Sequence, residues 1–331
     1  MSRAFVKQLF LFSALVLSVS AWFYFSSTQA RDLTEQLGPN ILEASIENNI
    51  SPQIESREKL SNKVAAAQEP IQEDANDEPA VFVSAQDSQS EKHQLSAVIA
   101  IAKELDFVPP ATLEEQYHQR WPMASITKLM TAAIALEAIG SDTVITISAE
   151  AVANEGAAGA FNPSEQFSVS DLVKTLMMVS SNDAAAALAE HMGRDAFVLA
   201  MEEKARDIGM SNTQFVDPSG LSYLNQSTVS DLEKLFAYIY DEHPEIFAFS
   251  REKISPITEL VSATQRELAS IIEIGSQPDF IGGKTGYIDE AGGNFLALFQ
   301  GSSEPVMVAV LGSQNRFQDA LVLYQQYQQQ Q

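Results

Sequence analysis

The chain has 331 residues, and 44 of them are acidic against 20 Lys and Arg, so that its formal net charge is −24. This charge argues against a nucleic-acid partner, because phosphate binding requires clustered Lys and Arg. The absence of cysteine excludes disulfides, thiol catalysis and cysteine-bound metal. The four histidines are scattered without ligand spacing, so that neither a histidine-based triad nor a zinc site is expected. They are His93, His118, His191 and His243.

The N-terminal region, residues 1–30, has the pattern of a membrane-targeting segment. Arg3 and Lys7 precede an apolar run over residues 9–25, and a positive flank stays in the cytoplasm while the following chain crosses the membrane. The apolar run is longer than a typical signal core, and the cleavage site at residues 28–30 is poor. We therefore expect an uncleaved anchor, with a cleaved signal segment as the alternative. The rest of the chain is expected on the extracytoplasmic side of a bacterial cell membrane, in the cell envelope or periplasm.

Residues 31–94 differ in composition from the rest of the chain. They are rich in Glu, Asp, Gln, Asn and Ser, and they contain four prolines. Such a segment cannot bury enough apolar area to offset its ordering entropy. We expect an acidic disordered linker here, followed by one folded domain at residues 95–331.

The folded region is predicted to open with a strand at residues 95–101. Apolar residues at helical spacing predict a helix over residues 125–139, which Gly140 ends. Further helices are predicted at residues 168–178, 183–192, 195–208, 228–242 and 315–328. Short apolar segments bounded by turns predict strands at residues 280–288, 294–299 and 305–312. Three successive strands with short connections favour an antiparallel sheet and an α+β fold.

Three short patterns that could carry chemistry occur in order. They are Ser125-Ile-Thr-Lys128, Ser180-Ser-Asn182 and Lys284-Thr-Gly286. Their combination is the signature of penicillin-binding proteins and class A β-lactamases. Each pattern alone is weak, because Ser56 with Lys59, Ser250 with Lys253, and Ser313 with Asn315 give further matches.

The position of Ser125 and Lys128 separates them from the other matches. The pair begins a strongly apolar helix and lies one turn apart on one face. A serine needs a base within hydrogen-bond reach, and a lysine can serve only when it is neutral. Burial and a second ammonium nearby, which Lys284 could supply, would lower the pKa of Lys128. Backbone N–H groups at this helix terminus could also stabilise an oxyanion.

The other two patterns have structural explanations as well as functional ones. Ser180-Ser-Asn182 lies between two predicted helices, where Ser181 or Asn182 could simply cap the second helix. Lys284 follows Gly282-Gly283 in a predicted strand. The glycines indicate close approach of a ligand or of another backbone segment. The alternative is an ordinary sheet edge on which Lys284 is the charged residue.

With these motifs in place, residues 124–132 resemble the active-site segment of the low-molecular-mass penicillin-binding proteins, the D-alanyl-D-alanine carboxypeptidases. Residues 180–185 are similar to the second motif of that family, with Ser181 where glycine is usual, and residues 283–292 are similar to the third. The resemblance covers residues 95–327. It implies the penicillin-binding-protein and β-lactamase-like transpeptidase fold, an antiparallel sheet flanked by a helical cluster.

The resemblance also implies catalytic roles on stem peptides of peptidoglycan. Ser125 would attack the carbonyl of the penultimate D-alanine while Lys128 takes its proton. Ser180 and Lys284 would pass a proton to the leaving amine, and Asn182 would hold the peptide backbone. The acyl-enzyme would then be hydrolysed without metal or organic cofactor.

Substrate binding is implied for the third motif and its surroundings. Thr285 and Arg316 would bind the terminal carboxylate, and Gly286 would also contact the substrate. Backbone N–H groups of Ser125 and Tyr287 would form the oxyanion hole. β-Lactams would be covalent inhibitors. Many family members continue into an all-β domain with a membrane-binding helix. We expect that domain to be absent and the N-terminal segment to provide the membrane contact.

Three alternatives remain open from the sequence. A D,D-endopeptidase would cut cross-links with the same residues. A class A β-lactamase also needs a glutamate in a Glu-x-x-Leu-Asn element, and no glutamate precedes Leu224-Asn225 at that offset. A non-catalytic penicillin-sensing or wall-binding module would not retain every proposed catalytic side chain.

Overall fold

The structure is a computed structural model that describes residues 83–84, 95–105, 114–153, 156 and 158–330. The predicted anchor at residues 1–30 lies outside the described residues, and so does the predicted linker except for residues 83–84. Among the described helices, none has both the length and the apolar character needed to cross a bilayer.

Eleven strands occur among the described residues. In chain order they are β1 (Val83–Ser84), β2 (Ile99–Glu104), β3 (Trp121–Pro122), β4 (Val144–Thr146), β5 (Gln166–Ser168), β6 (Gln226–Ser227), β7 (Ile254–Thr258), β8 (Gln265–Ala269), β9 (Phe280–Ile288), β10 (Gly292–Phe299) and β11 (Val306–Ser313). Eight α-helices accompany them. They are α1 (Glu114–His118), α2 (Lys128–Ile134), α3 (Val169–Met178), α4 (Asn182–Met192), α5 (Arg194–Asp207), α6 (Val229–Glu242), α7 (Pro244–Arg251) and α8 (Arg316–Gln330).

The central sheet has the order β1-β2-β11-β10-β9, and every neighbouring pair is antiparallel. The antiparallel arrangement of the last three strands and the α+β class are therefore confirmed. The first predicted strand is displaced, since β2 begins at Ile99 rather than at residue 95. Ser96 is instead held outside the strand, where its amide and hydroxyl donate to the Asp319 carboxylate at 3.1 and 2.8 Å.

Alternate residues of the sheet enter two separate cores, as the period of two in a strand requires. Ile99 and Ile101 pack in the core that faces the helical cluster. Ala100 and Ala102 pack in the core that lies against α8. The sheet is thus the middle layer of three, with the cluster α2 to α7 on one face and α8 on the other.

The helix predicted over residues 125–139 forms as three consecutive helical segments of different pitch. Ala124–Thr127 is a 3₁₀ turn, α2 follows it directly, and Ala135–Ile139 is a π-helical turn. Gly140 then ends the helix with φ of +95°, a conformation that glycine adopts readily. All seven residues of α2 are buried, which explains why the sequence over this helix is so apolar.

Several elements outside the central sheet were not predicted, namely α1, α7 and the short strands β3 to β8. Pro244 lies just after the helix predicted over residues 228–242, and it occupies the first turn of α7. Proline is well suited to that position because its missing N–H has no intrahelical partner there. The antiparallel hairpin β7–β8 was not predicted at all.

Candidate active site

Ser125 lies in the 3₁₀ turn at the start of the central helix, and Lys128 follows one turn later. The Nζ atom of Lys128 is 2.8 Å from Ser125 Oγ. The ammonium also donates to Asn182 Oδ1 and to the Ser219 carbonyl, both at 2.7 Å. Lys128 is fully buried, whereas Ser125 is partly exposed. The nucleophile is therefore accessible while its candidate base is held in the interior.

Burial has a large effect on the protonation of Lys128. It lowers the pKa of the ammonium from 10.5 to about 7, and the carboxylate of Asp217 opposes this shift. A lysine with this pKa is neutral in a substantial fraction of molecules near pH 7. The side chain can therefore accept a proton from a hydroxyl at hydrogen-bond distance.

The second motif connects α3 to α4. Ser181 caps α4, because its Oγ accepts the Ala184 N–H at 3.1 Å, so the capping interpretation holds for this serine. Asn182 instead turns its side chain to Lys128. Ser180 has a φ of +58°, which is rare for a residue with a Cβ and is found most often at functional sites.

The third motif lies on β9, the edge strand of the sheet. Lys284 is fully buried despite that position, and its Nζ donates to Ser180 Oγ and to the Thr285 carbonyl, both at 2.8 Å. The pKa of Lys284 is lowered well below its usual value, first by burial and then by Lys128 and Arg316. The alternative interpretation of Lys284 as a solvated charge at a sheet edge is therefore wrong.

Gly286 lets β9 pass directly against the turn that carries the nucleophile. A Cβ at this position would lie 2.8 Å from the Met123 carbonyl oxygen and 3.2 Å from the Ser125 nitrogen. Contacts this short with backbone atoms require movement of the turn, so that only glycine fits.

Arg316 opens α8 beside the third motif. One guanidinium nitrogen donates to the Gly286 carbonyl at 3.0 Å. Burial lowers the pKa of Arg316, and Glu273 opposes that shift. Thr285, which precedes Gly286 on β9, is buried. The side chain of Tyr287 is 62% exposed, and its hydroxyl donates to Asp289 at 3.1 Å.

Sequence analysis missed Asn225, a buried residue that orders the site. Its Oδ1 accepts the N–H groups of Val216 and Asp217 at 2.7 and 3.2 Å. Its Nδ2 donates to Thr127 Oγ1 at 3.2 Å and to the Asp217 carbonyl at 2.9 Å. Asn225 thereby ties the loop of residues 216–222 to the turn that carries Ser125. The sequence did offer a signal for Asn225, namely the Leu224-Asn225 pair, which was considered only as part of a β-lactamase element.

The same loop positions the carbonyl that Lys128 contacts. The carboxylate of Asp217 accepts the N–H groups of Ser219, Gly220 and Ser222 at 2.7, 2.6 and 2.9 Å. Gly220 has a φ of +81°, and a Cβ there would lie 1.9 Å from the Ala124 carbonyl oxygen. The loop therefore packs against the nucleophile turn too closely for any other residue.

The competing sequence matches that lie within the described residues do not form such a site. Ser250 is buried at the end of α7, where its hydroxyl donates to the Phe247 carbonyl at 2.7 Å and accepts the Gly283 N–H at 2.9 Å. Ser313 donates to Asp319 at 2.7 Å. Ser56 and Lys59 lie outside the described residues. Over residues 95–105, 114–153 and 158–330 no group of three His, Asp or Glu side chains could hold a metal ion.

The arrangement has the parts required for acyl transfer through a serine. A partly exposed hydroxyl contacts a buried lysine, a second hydroxyl contacts a second buried lysine, and an arginine stands beside the third motif. The sequence profile of the D-alanyl-D-alanine carboxypeptidase family matches residues 110–315. The chain belongs to this family, which confirms the resemblance noted in its motifs.

Individual relatives agree with this assignment. A D-alanyl-D-alanine endopeptidase of Pseudomonas aeruginosa is 42% identical over 118 residues, which are 34% of this chain and 38% of that protein. The carboxypeptidase DacA of Haemophilus influenzae is 30% identical over 204 residues, 58% of this chain and 51% of that protein. The chain thus spans two fifths to half of the length of these relatives.

A solved structure extends the comparison to the fold. The D-alanyl-D-alanine carboxypeptidase of Mycobacterium tuberculosis H37Rv superposes with a TM-score of 0.64 at 21% identity. The match covers 78% of this chain and 95% of that one. The predicted fold is therefore confirmed.

Proposed function

We propose that the chain is a serine-type D-alanyl-D-alanine carboxypeptidase that acts on peptidoglycan stem peptides through an acyl-enzyme. The observation that carries the proposal is the 2.8 Å contact between Ser125 Oγ and the buried Nζ of Lys128. Membership of the family supplies the substrate class.

Acylation begins with proton transfer from Ser125 to neutral Lys128. The Oγ atom attacks the carbonyl carbon of the penultimate D-alanine, and negative charge develops on the carbonyl oxygen. Backbone N–H groups of Ser125 and Tyr287 donate to that oxyanion. Fixed donors of this kind are effective in a site from which water is excluded.

Breakdown of the tetrahedral intermediate requires a proton on the leaving amine. Ser180 delivers it, and Lys284 at 2.8 Å from its hydroxyl replaces it. Asn182 holds the peptide backbone of the substrate. Thr285, Gly286 and Arg316 form the place for the terminal carboxylate, which a planar guanidinium recognises well. Water then hydrolyses the acyl-enzyme.

A D,D-endopeptidase is the second candidate, and it is favoured by the names of relatives such as the P. aeruginosa protein. The two activities share the attacked carbonyl and differ in the leaving group. A carboxypeptidase releases free D-alanine, whereas an endopeptidase releases the amine of a second stem peptide.

Incubation of the purified chain with a muropeptide pentapeptide and with a cross-linked dimer separates these activities. We expect the pentapeptide to become one alanine residue lighter by mass spectrometry. Conversion of the dimer to two monomers, with the pentapeptide unchanged, would assign the endopeptidase instead. If neither the pentapeptide nor the dimer is cleaved, the proposal is contradicted.

The pH dependence of acylation should report Lys128 as the base. Because its pKa is about 7 and the neutral form is reactive, the rate should fall about tenfold for each pH unit below 7 and level off above it. Stopped-flow acylation by a chromogenic cephalosporin between pH 5 and 9 measures this profile. A rate that does not change between pH 5 and 7 would exclude Lys128 from the role.

The location of the enzyme follows from its substrate and its N-terminal sequence. Family enzymes act on the cell wall, so the catalytic domain at residues 95–331 lies outside the cytoplasm. We propose that residues 1–30 anchor it to the membrane and that the acidic residues 31–94 act as a tether. The support is the positive flank and apolar run of residues 1–30. Stem peptides are the substrates and β-lactams the covalent inhibitors.

A further inference from the structure

Asn294 is a fully buried polar residue on β10, the strand next to the one that carries the third motif. It takes no part in the proton transfers proposed above. Its Nδ2 atom donates to the carbonyl oxygens of Pro122 and Met123 at 2.9 and 3.2 Å. Its Oδ1 atom accepts the Gly312 N–H at 3.1 Å. These three bonds all go to backbone groups, so that Asn294 holds segments of the chain together.

An irregularity in the sheet explains how the side chain of Asn294 is oriented. The pairing of β10 with β11 shifts between Gly293 and Phe295, so that two residues of β11 oppose Asn294 alone. Such a β-bulge bends a strand and is common beside active sites, where it redirects a side chain. Gly312 lies at this bulge with a φ of +72°, and its N–H fixes the direction of the Asn294 amide.

The two donors of the proposed oxyanion hole come from different parts of the chain. The Ser125 N–H belongs to the 3₁₀ turn of residues 124–127, and the Tyr287 N–H belongs to β9. Such a hole works only when both N–H groups lie about 2.7–3.1 Å from the developing oxyanion. Other contacts must therefore fix the distance between the turn and β9.

Asn294 is placed to fix this distance. It lies directly across from Gly286 on β9, and Gly293 lies across from Tyr287. Residues directly opposite each other share one face of a sheet. Because Gly286 has no side chain, the Asn294 amide can pass beside it to the Met123 carbonyl, which lies 2.8 Å from where a Gly286 Cβ would be. One side chain thus joins the sheet to the nucleophile turn.

The segment before Ser125 needs such support because its backbone is strained. Ala124 has a φ of +50°, a conformation that costs free energy in a residue with a Cβ. Strained conformations persist only where the surrounding structure holds them. The Met123 carbonyl that Asn294 contacts belongs to the peptide group that enters Ala124. The direction of the Ser125 N–H depends on the conformation of Ala124.

We propose that Asn294 is a positioning residue for the oxyanion hole. It holds the nucleophile turn at the distance from β9 at which the N–H groups of Ser125 and Tyr287 meet one oxygen. The inference rests on the proposed function. Because Asn294 is buried, it acts through the turn and not on the substrate.

The acyl-enzyme that the full chain forms with a penicillin tests this role, because its ester carbonyl takes the place of the reacting carbonyl. Hydrogen bonds from the hole lower the stretching frequency of that carbonyl. Infrared difference spectra between adducts of isotope-labelled and unlabelled penicillin isolate its band. In Asn294→Ala we expect the band to move to higher wavenumber.

The rate constant for acylation should fall in Asn294→Ala by about 10–100-fold, less than the roughly 10²–10³-fold that loss of one donor costs. The pH at which acylation is half-maximal should remain about 7, because the hydrogen bonds of Lys128 go to other groups. A displaced hole therefore lowers the rate without changing the base.

Leu298→Ala is the matched control. Leu298 is also fully buried on β10 and lies on the same face of the strand as Asn294, but it packs in the hydrophobic core. This variant should be less stable to heat while its adduct keeps the wild-type band. Both readouts come from reacting molecules alone, so that a smaller folded fraction does not change them. If Asn294→Ala does not fold, Asn294→Ser gives the same comparison, since its hydroxyl is too short to replace the amide.

The outcomes separate the positioning role from the proposed function. An unchanged band in the Asn294 variant, or equal shifts in the Asn294 and Leu298 variants, would overturn the positioning role. The wild-type adduct on Ser125 and the release of D-alanine would still support the proposed function in that case. A wild-type chain that forms no adduct and releases no D-alanine would overturn both.

Discussion

Ser125→Ala should eliminate the covalent adduct that the wild-type domain forms with a penicillin. The substitution removes the oxygen that we propose as the nucleophile. Peptide cleavage should fall by about 10⁶-fold, the scale measured when the nucleophile of other serine peptidases is removed. Intact-mass spectrometry detects the adduct, and peptide mapping locates it.

Ser250→Ala is the informative control for this substitution. Ser250 also precedes a lysine at the i+3 position, but its hydroxyl is occupied by the Phe247 carbonyl and the Gly283 N–H. The Ser250 variant should still form the adduct. An adduct that persists in Ser125→Ala would assign the nucleophile to another residue.

Lys128→Ala should reduce acylation by about 10²–10⁴-fold, the usual contribution of a general base. Among the described residues, the Lys128 amine is the base that lies at hydrogen-bond distance from Ser125 Oγ, and the substitution removes it. The rate constant for acylation by a chromogenic cephalosporin measures the loss directly. Circular dichroism should confirm that the variant folds, because Lys128 also bonds Asn182 and Ser219.

Lys253→Ala provides the comparison for Lys128→Ala. Lys253 belongs to a competing Ser-x-x-Lys match but is exposed and outside the site, so acylation should remain at the wild-type rate. The same result is expected for Lys59→Ala. Equal losses in Lys128→Ala and Lys253→Ala would mean that the wrong motif had been chosen.

Much of the site could be predicted because its side chains occur in short local patterns. Ser125 and Lys128 stand one turn apart before an apolar helix, and that spacing alone places Oγ near Nζ. The pairing of Lys284 with Ser180 joins residues separated by 104 positions, and only the order of the motifs indicated that they meet.

Other parts of the site had no such signal. The carbonyl of Ser219 accepts a hydrogen bond from Lys128. Because every residue has a carbonyl, the sequence does not show which one points at Lys128, and this depends on the conformation of the loop. The side chain of Asn225 bonds backbone groups of Val216 and Asp217, eight or nine residues away, and the hydroxyl of Thr127, 98 residues away. Such bonds depend on tertiary structure and leave no periodicity in the sequence.

The errors in the predicted fold can be traced to particular residues. Pro244 can end one helix or begin the next, and sequence alone did not distinguish these positions. The strand β8 consists of Gln265-Arg-Glu-Leu-Ala269, and all five residue types are good helix formers. Its pairing with β7 therefore overrides local preference.

The hydrogen bonds of Lys128 have a consequence for how the domain acquires reactivity. They join segments separated by 54 and by 91 residues, so each closes a long loop at an entropic cost. No isolated hairpin or helix pair can contain this set of contacts. Reactivity toward penicillin would therefore arise only in molecules that have completed their long-range packing, and the labelled fraction would serve as a measure of correctly folded protein.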